Sequence, residues 1–234
     1  MTNNTIFLKL KQRLNKLDSQ DYDNLECWQV VEAFNKGMVE WCRRNLHGMN
    51  AMKEGDEASK RRIDDLQRLL VSSPITMVNK QEYFESPALP GNYFEWKRVD
   101  VFATNECCSE PRRMVVNLVE EGNIPNFLRD YSKKPSFEWA ETFCTLSDNT
   151  FKVYTAGEFA VDNTVLVYYR QPVKVQFLNC IDPYTLQVST VDVECEFKDD
   201  LVELFIDEAA KIIAGDIEAI NQMQRASQNV ENNN

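Results

Sequence analysis

The spacing of apolar residues changes twice along this chain, and those changes limit the folds open to it. From the N-terminus to about residue 73 apolar residues recur every three or four positions, the period of a helix with one buried face. Ile6, Leu8, Leu10, Leu14 and Leu17 mark a first helix, which ends at the polar stretch 18–23. Asp23, with Glu26 three positions on, forms a capping box for a long second helix. Its apolar face carries Leu25, Trp28, Val31, Phe34, Met38, Trp41 and Leu46. A third helix is predicted over 56–71, with Ile63, Leu66, Leu69 and Leu70 on one side and Lys60, Arg61, Arg62 and Arg68 on the other, and Pro74 stops it. Between 74 and 197 the period falls to two. Strands are predicted over 93–102, 113–119, 137–143, 151–154, 164–169, 173–177 and 186–193, broken by Asp-Asn, Ala-Gly and Asp-Pro signals, with one short helix over 124–131. After 198 the helical period returns. Asp200 and Glu203 make a second capping box, and Leu201, Leu204, Phe205, Ala209, Ile212, Ile213, Ile217 and Ile220 line a face that Gly215 ends or bends.

Helices, then short strands, then a helix, without βαβ alternation, predict an α+β fold. The expected organisation is an N-terminal helical bundle over 1–73, a β-rich antiparallel domain over 74–197, and a C-terminal helix over 198–226 packed on the helical region. A flexible tail over 227–234 follows, because its Gln, Asn, Ser and Glu residues include no apolar anchor.

Composition narrows the function. Hydrophobic residues make up 43% of the 234, enough for a core without staples. Twenty-six Lys and Arg against 37 Asp and Glu leave a net charge of -11, which repels phosphate backbones and argues against tight nucleic-acid wrapping. A single histidine, His47, leaves no multi-His metal site and no His-based nucleophile pair. Neither G-x-G-x-x-G nor G-x-x-x-x-G-K-[ST] occurs. No cofactor, metal or small-molecule substrate is expected. No apolar run is long enough to span a membrane, and the first residues lack a signal-peptide core, so the chain is expected to stay in the cytoplasm where it is made. All seven cysteines are accordingly expected to be reduced and mostly buried.

The best enzymatic lead is Asp182 with Glu196 and Lys198, the residue types with which metal-dependent nucleases hold Mg²⁺ and polarise a phosphate. Glu95 and Lys97 repeat the local pattern, which in a chain this charged arises readily by chance. Trp96, Tyr169 and Arg170 are residue types that favour protein interfaces, and Lys60, Arg61 and Arg62 form the strongest basic cluster, suited to an acidic neighbour.

Several segments taken in order resemble a known family. Residues 31–36 and 41–44 of the long helix, 95–102, 135–143, the strand–turn–strand 165–173, and above all 197–216 are similar to the head-to-tail adaptor, or connector, proteins of tailed phages, and in particular to the ring proteins of crAss-like podoviruses. The resemblance implies a non-enzymatic virion protein, assembled in the bacterial host cytoplasm as a ring of twelve subunits. The ring would dock below the portal protein and surround the channel through which DNA passes without specific binding. It also implies that the terminal helix over 200–220 and the tail over 221–234 reach a neighbouring ring. That adds Ile217, Ile220, Met223 and Arg225 to the candidate interface residues. An acidic subunit repeated around a bore would repel DNA and let it slide.

Overall fold

A computed structural model of the chain describes residues 1–14, 25–47, 64–216 and 227–228. They are mixed α and β and divide into two compact units, one of residues 1–68 with 172–234 and one of residues 69–171. The second break falls at 171/172 rather than at the expected 197/198, because residues 172–197 group with the helices, to which Asn35 and Asn3 bond them.

The first unit is built on helices α1 (Asn3–Leu14), α2 (Cys27–His47) and α4 (Asp199–Asp216). The predicted apolar stripes supply its core. Ile6, Leu10 and Leu14 of α1, Val31, Phe34, Met38 and Trp41 of α2, and Leu201, Phe205, Ala209 and Ile213 of α4 are all buried. Phe205 sits at the centre, with Phe34, Trp41 and Phe197 arranged edge-on around it at 6.1, 5.4 and 5.2 Å. Each such contact adds about 0.5–1.5 kcal/mol beyond area burial. Charges on α4 face cations of the other two helices. Arg13 pairs with Glu203 and Asp207, Lys9 with Glu203, and Arg44 with the buried Glu208. Burial holds the Asp207 carboxyl above its usual value, although Arg13 works against the shift.

The second unit is a curled sheet of eight strands among the described residues: β1 (Leu70–Ile75), β2 (Val78–Asn79), β3 (Tyr83–Glu85), β4 (Tyr93–Asn105), β5 (Cys108–Leu118), β6 (Glu141–Ser147), β7 (Thr150–Tyr154) and β8 (Ala160–Arg170). Their order is β1-β8-β4-β5-β6-β7-β3-β2. The strands at the two ends, β1 and β2, are joined through only Thr76 and Met77, a link that reaches at most ~11 Å. The sheet must therefore curl until its edges approach. β5 turns the corner, pairing antiparallel with β4 through its first half and parallel with β6 through Val115–Leu118. That parallel pair is the exception to the antiparallel expectation. Val99, Val101, Met114, Phe151, Val153, Leu166 and Tyr168 fill the inside. Helix α3 (Ile124–Arg129) covers the opposite face of β6, where Phe127 meets Phe143 at 5.3 Å.

Four expectations are corrected. Residues 70–71 are strand, not the end of a helix, and β1 contains Pro74. Among the described residues β1 pairs with β8 alone, and an edge strand tolerates a missing N–H. Of the rest of that predicted helix, residues 64–66 are helical and Gln67–Leu69 form a 3-10 turn, while 56–63 lie outside the described residues. The strand expected over 137–143 begins at Glu141, since Ala140 turns the chain at φ 55°. Segments 173–177 and 186–193 are not sheet strands. Finally, Cys27 and Cys180 are joined in a disulfide. Cysteines 153 positions apart give no local sign of meeting. Cys42, Cys144 and Cys195 are buried free thiols, which burial pushes up to about 12, 12 and 11, and Cys107 is free and exposed. Among the described residues, no helix is long and apolar enough to cross a membrane.

Helix α2 meets α4 at Gly37. A Cβ there would lie 3.1 Å from Glu208 Cβ, 3.2 Å from Ala209 N and 3.4 Å from Phe205 O. Alanine in a helix interior gains about 1 kcal/mol of propensity over glycine. Here two of the three contacts are helix backbone and the third belongs to a side chain tied to Arg44, so overpacking outweighs that gain. Gly37→Ala is expected to destabilise by about 1–2 kcal/mol net. A urea midpoint equal to or above that of the unsubstituted chain would show that the two helices can separate.

Candidate interface

The segment between the sheet and α4 forms an irregular hairpin, hereafter the finger, over residues 175–193. It is closed by backbone pairs rather than a regular ladder. Gln176 and Val193 exchange N–H to O bonds of 3.2 and 2.9 Å, Asn179 N–H reaches Ser189 O at 2.9 Å, and Ser189 N–H reaches Cys180 O at 2.7 Å. Asp182 N–H reaches Gln187 O at 2.8 Å and Leu186 N–H returns to Asp182 O at 2.8 Å. At the tip the Asp182 carboxylate accepts from Tyr184 N–H at 2.9 Å and from the Thr185 hydroxyl at 3.0 Å, an Asx-type turn.

Three anchors hold the base of the finger. The buried side chain of Asn35, on α2, donates to Val175 O at 3.0 Å and accepts from Val175 N–H at 2.8 Å, the two bonds a neighbouring strand would make. The buried Asn3, on α1, donates to Gln176 O at 2.9 Å and to the Asp192 carboxylate at 2.6 Å. The Cys27–Cys180 bond ties the first residue of α2 to the middle of the hairpin.

What this support presents is apolar. Val173, Leu178, Ile181, Tyr184, Leu186, Val188 and Val191 are all exposed, seven of the fourteen exposed large hydrophobics among the described residues. Leu186, at the tip, is 80% exposed and has φ 60°. For a leucine that left-handed conformation costs roughly 1–2 kcal/mol, and glycine or asparagine is the usual occupant. Scattered exposed hydrophobics need no explanation, but half of those described fall within residues 173–191 on a braced support, which makes this segment the candidate interaction site. Charge is sparse here. Lys174 Nζ lies 3.3 Å from the centre of the Tyr184 ring, Asp182 is buried in the tip turn, and Asp192 is taken up by Asn3.

The residues singled out in the sequence are placed elsewhere. Trp96 is half-buried and packs edge-on against Phe151 at 5.8 Å, on the inner side of the sheet. Tyr169 follows the buried Tyr168 on β8 and so faces the other side, with Lys97 Nζ 5.9 Å from its ring. Arg170 is half-buried and donates to Gln171 O at 3.1 Å. The structure does not gather these three on one surface. Lys60, Arg61, Arg62, Ile217, Ile220, Met223 and Arg225 lie outside the described residues, as does the 229–234 end of the expected tail.

Asp182, Glu196 and Lys198 do separate work. Asp182 caps the tip turn, Glu196 Oε1 accepts from Val173 N–H at 2.9 Å, and Lys198 pairs with Asp64 and Asp65. The bond to Asp64 holds the Lys198 ammonium above its ordinary pKa. Among the described residues, no group of three or more His, Cys, Asp or Glu side chains is placed to hold a metal ion. The finger was not recognised in the sequence because its alternating Leu, Ile and Val read as buried strand. The usable signal was the Asp182-Pro183-Tyr184-Thr185 turn sequence, flanked by almost no charge.

Removing an anchor should loosen the finger and leave the sheet intact. Asn35→Ala leaves the N–H and C=O of Val175 without partners, at about 1–3 kcal/mol each. Faster amide hydrogen exchange confined to 175–193 is the expected result, and unchanged protection there would remove Asn35 as an anchor. Reducing the Cys27–Cys180 bond, or replacing Cys180 by Ser, should cost about 2–4 kcal/mol, measured by denaturant unfolding with and without reductant.

Compared with known proteins, the chain matches no family model and no curated protein.

Proposed function

We propose that this chain is a structural subunit of a tailed-phage virion, a connector ring between portal and tail that surrounds the DNA channel. The supporting observation is the finger, a run of exposed apolar side chains on a base fixed by two buried asparagines and a disulfide. Such a surface suits permanent association with protein, since aromatic and aliphatic side chains at a charge-depleted centre are what assembly interfaces bury. The net charge of -11 suits a subunit that lines a path for DNA without retaining it. In this reading the C-terminal segment beyond α4 and the basic residues 60–62 make further contacts to neighbouring rings, and the subunit has no catalytic role.

The alternative is a metal-dependent nuclease using Asp182, Glu196 and Lys198. It draws less support, because each of those groups already serves a turn, a backbone N–H or an ion pair.

Native mass spectrometry of the purified chain, alone and mixed with a candidate portal protein, tests the connector reading. A species of about twelve subunits is expected, alone or with portal. A monomer at every concentration that also ignores portal, together with Mg²⁺-dependent DNA cleavage lost in Lys198→Ala, would replace this reading with the nuclease.

A further inference from the structure

Three ties hold the finger, and they differ in kind. The amides of Asn35 and Asn3 grip it at residues 175–176 and 192–193, which form its base. The Cys27–Cys180 bond grips it farther out, bringing the two Cα atoms to 6.0 Å. Beyond the base, the hydrogen bonds of residues 177–191 all close on the finger itself, among the described residues. They keep its two arms together and attach neither to a helix. The disulfide is therefore the one bond from the outer finger to α2 among the described residues, and of the three ties it alone can be broken and remade by redox chemistry.

We propose that Cys27 and Cys180 form a reversible redox switch of the finger. Joined, they brace it and present its apolar side chains in one arrangement. As thiols, they let the outer finger leave α2 while the helical unit stays folded. The asparagine anchors make the change local and reversible. Cys180 is four residues beyond Gln176, whose carbonyl Asn3 holds, so a freed Cys180 stays within ~14 Å of the base and meets Cys27 again at high effective concentration. Access favours one sulphur, since Cys27 is half-buried and Cys180 is buried. Competition from other thiols is weak. Cys42 and Cys195, in the same unit, are buried, and burial pushes them up to about 12 and 11, so they stay protonated at neutral pH.

The oxidant is a small disulfide of the oxidised-glutathione class. The Cys27 thiolate attacks it, forming a mixed disulfide and releasing one small thiolate. The Cys180 thiolate then attacks the Cys27 sulphur, closing the bond and releasing the second. Two electrons pass to the small disulfide, which leaves as two thiols carrying the two cysteine protons. Excess small thiol runs the sequence backwards, so a reducing compartment holds the finger loose and an oxidising one holds it braced. Any partner of the finger loses less entropy on binding the braced form, whether or not the chain builds a ring.

The test equilibrates the full chain in neutral buffers that run from oxidised to reduced glutathione. Acid quenching, alkylation and peptide mapping give the fraction with Cys27 joined to Cys180, and separate it from any bond made by the exposed Cys107. The bond is expected to open and close reversibly across the series. Amide hydrogen exchange over 177–191 should be at least about tenfold faster in the thiol form. Near-UV circular dichroism, which reads the packed Trp41 and Phe205 rings, should stay unchanged. Cys27→Ser and Cys180→Ser should each show the fast exchange in every buffer, with the same dichroism. A bond that never forms, or stays closed throughout the series, would overturn the switch, as would equal exchange over 177–191 in both forms. Loss of the near-UV signal on reduction would make the bond a staple of the whole unit, and would overturn the switch equally.

Discussion

The side-chain amide of Asn35 determines where the finger can stand. An amide buried in the middle of a helix is a poor choice for the helix itself, since its polar groups compete with the backbone. It is tolerated because both of its functional groups are satisfied by Val175, which thereby docks on α2 as if on a neighbouring strand. Two residues on, about 200° around the helix, Gly37 admits α4 at near-contact distance. One short stretch of α2 thus serves opposite neighbours, with a glycine on one side for close helix packing and an amide on the other for an extended chain. The buried Phe205 cluster, the Arg44–Glu208 ion pair and the position of the finger all depend on α2 being held between those two partners.

The finger is unfavourable for an isolated chain. Exposed aliphatic area forgoes about 25 cal/mol per Å² that burial would return, and the left-handed Leu186 adds conformational cost. The tip could have been built cheaply with glycine and serine. Instead the structure spends an Asx turn, two buried asparagines and a disulfide on holding apolar side chains outward. Local strain and exposure of this kind persist where the conformation serves a function, and rigid presentation lowers the entropy lost on binding. The scarcity of charge around the tip follows the same logic in a chain that is otherwise strongly acidic.

Much of the helical unit was legible in the sequence because a 3.6-residue period states which face is buried. Val31, Phe34, Met38, Trp41, Phe205 and Ile213 all lie in the core as that period requires. The limit of the signal is that it identifies an apolar face without saying what covers it. Leu25, Trp28 and Ile212 belong to the same stripes yet line an open groove. The strands β4 and β8 were visible for the same local reason. The closure of the sheet was not, since it depends on which strands β1 and β2 pair with. Pro74 was read as a helix stop, whereas it lies in an edge strand. The finger shows the same ambiguity most clearly. Alternation over 186–193 is what a buried strand and an exposed interface hairpin both produce, and only long-range bonds from Asn3, Asn35 and Cys27 separate the two.

Rigidity at the base of the finger bears directly on how copies would assemble. A head-to-tail contact fixes a rotation between successive subunits, and a ring closes only if that rotation repeats without drift. A finger on a loose loop would meet a neighbour over a range of angles, giving open chains of variable curvature. Two asparagine anchors on different helices and a covalent bond to the start of α2 remove that freedom. Helix α2 is itself well fixed, because α4 is locked against it at Gly37 and Phe205. The finger therefore stands on a rigid support, helix α2. In a ring built on the finger, the angle between neighbours would be set mainly by the geometry of that helix and little by the pliability of a loop.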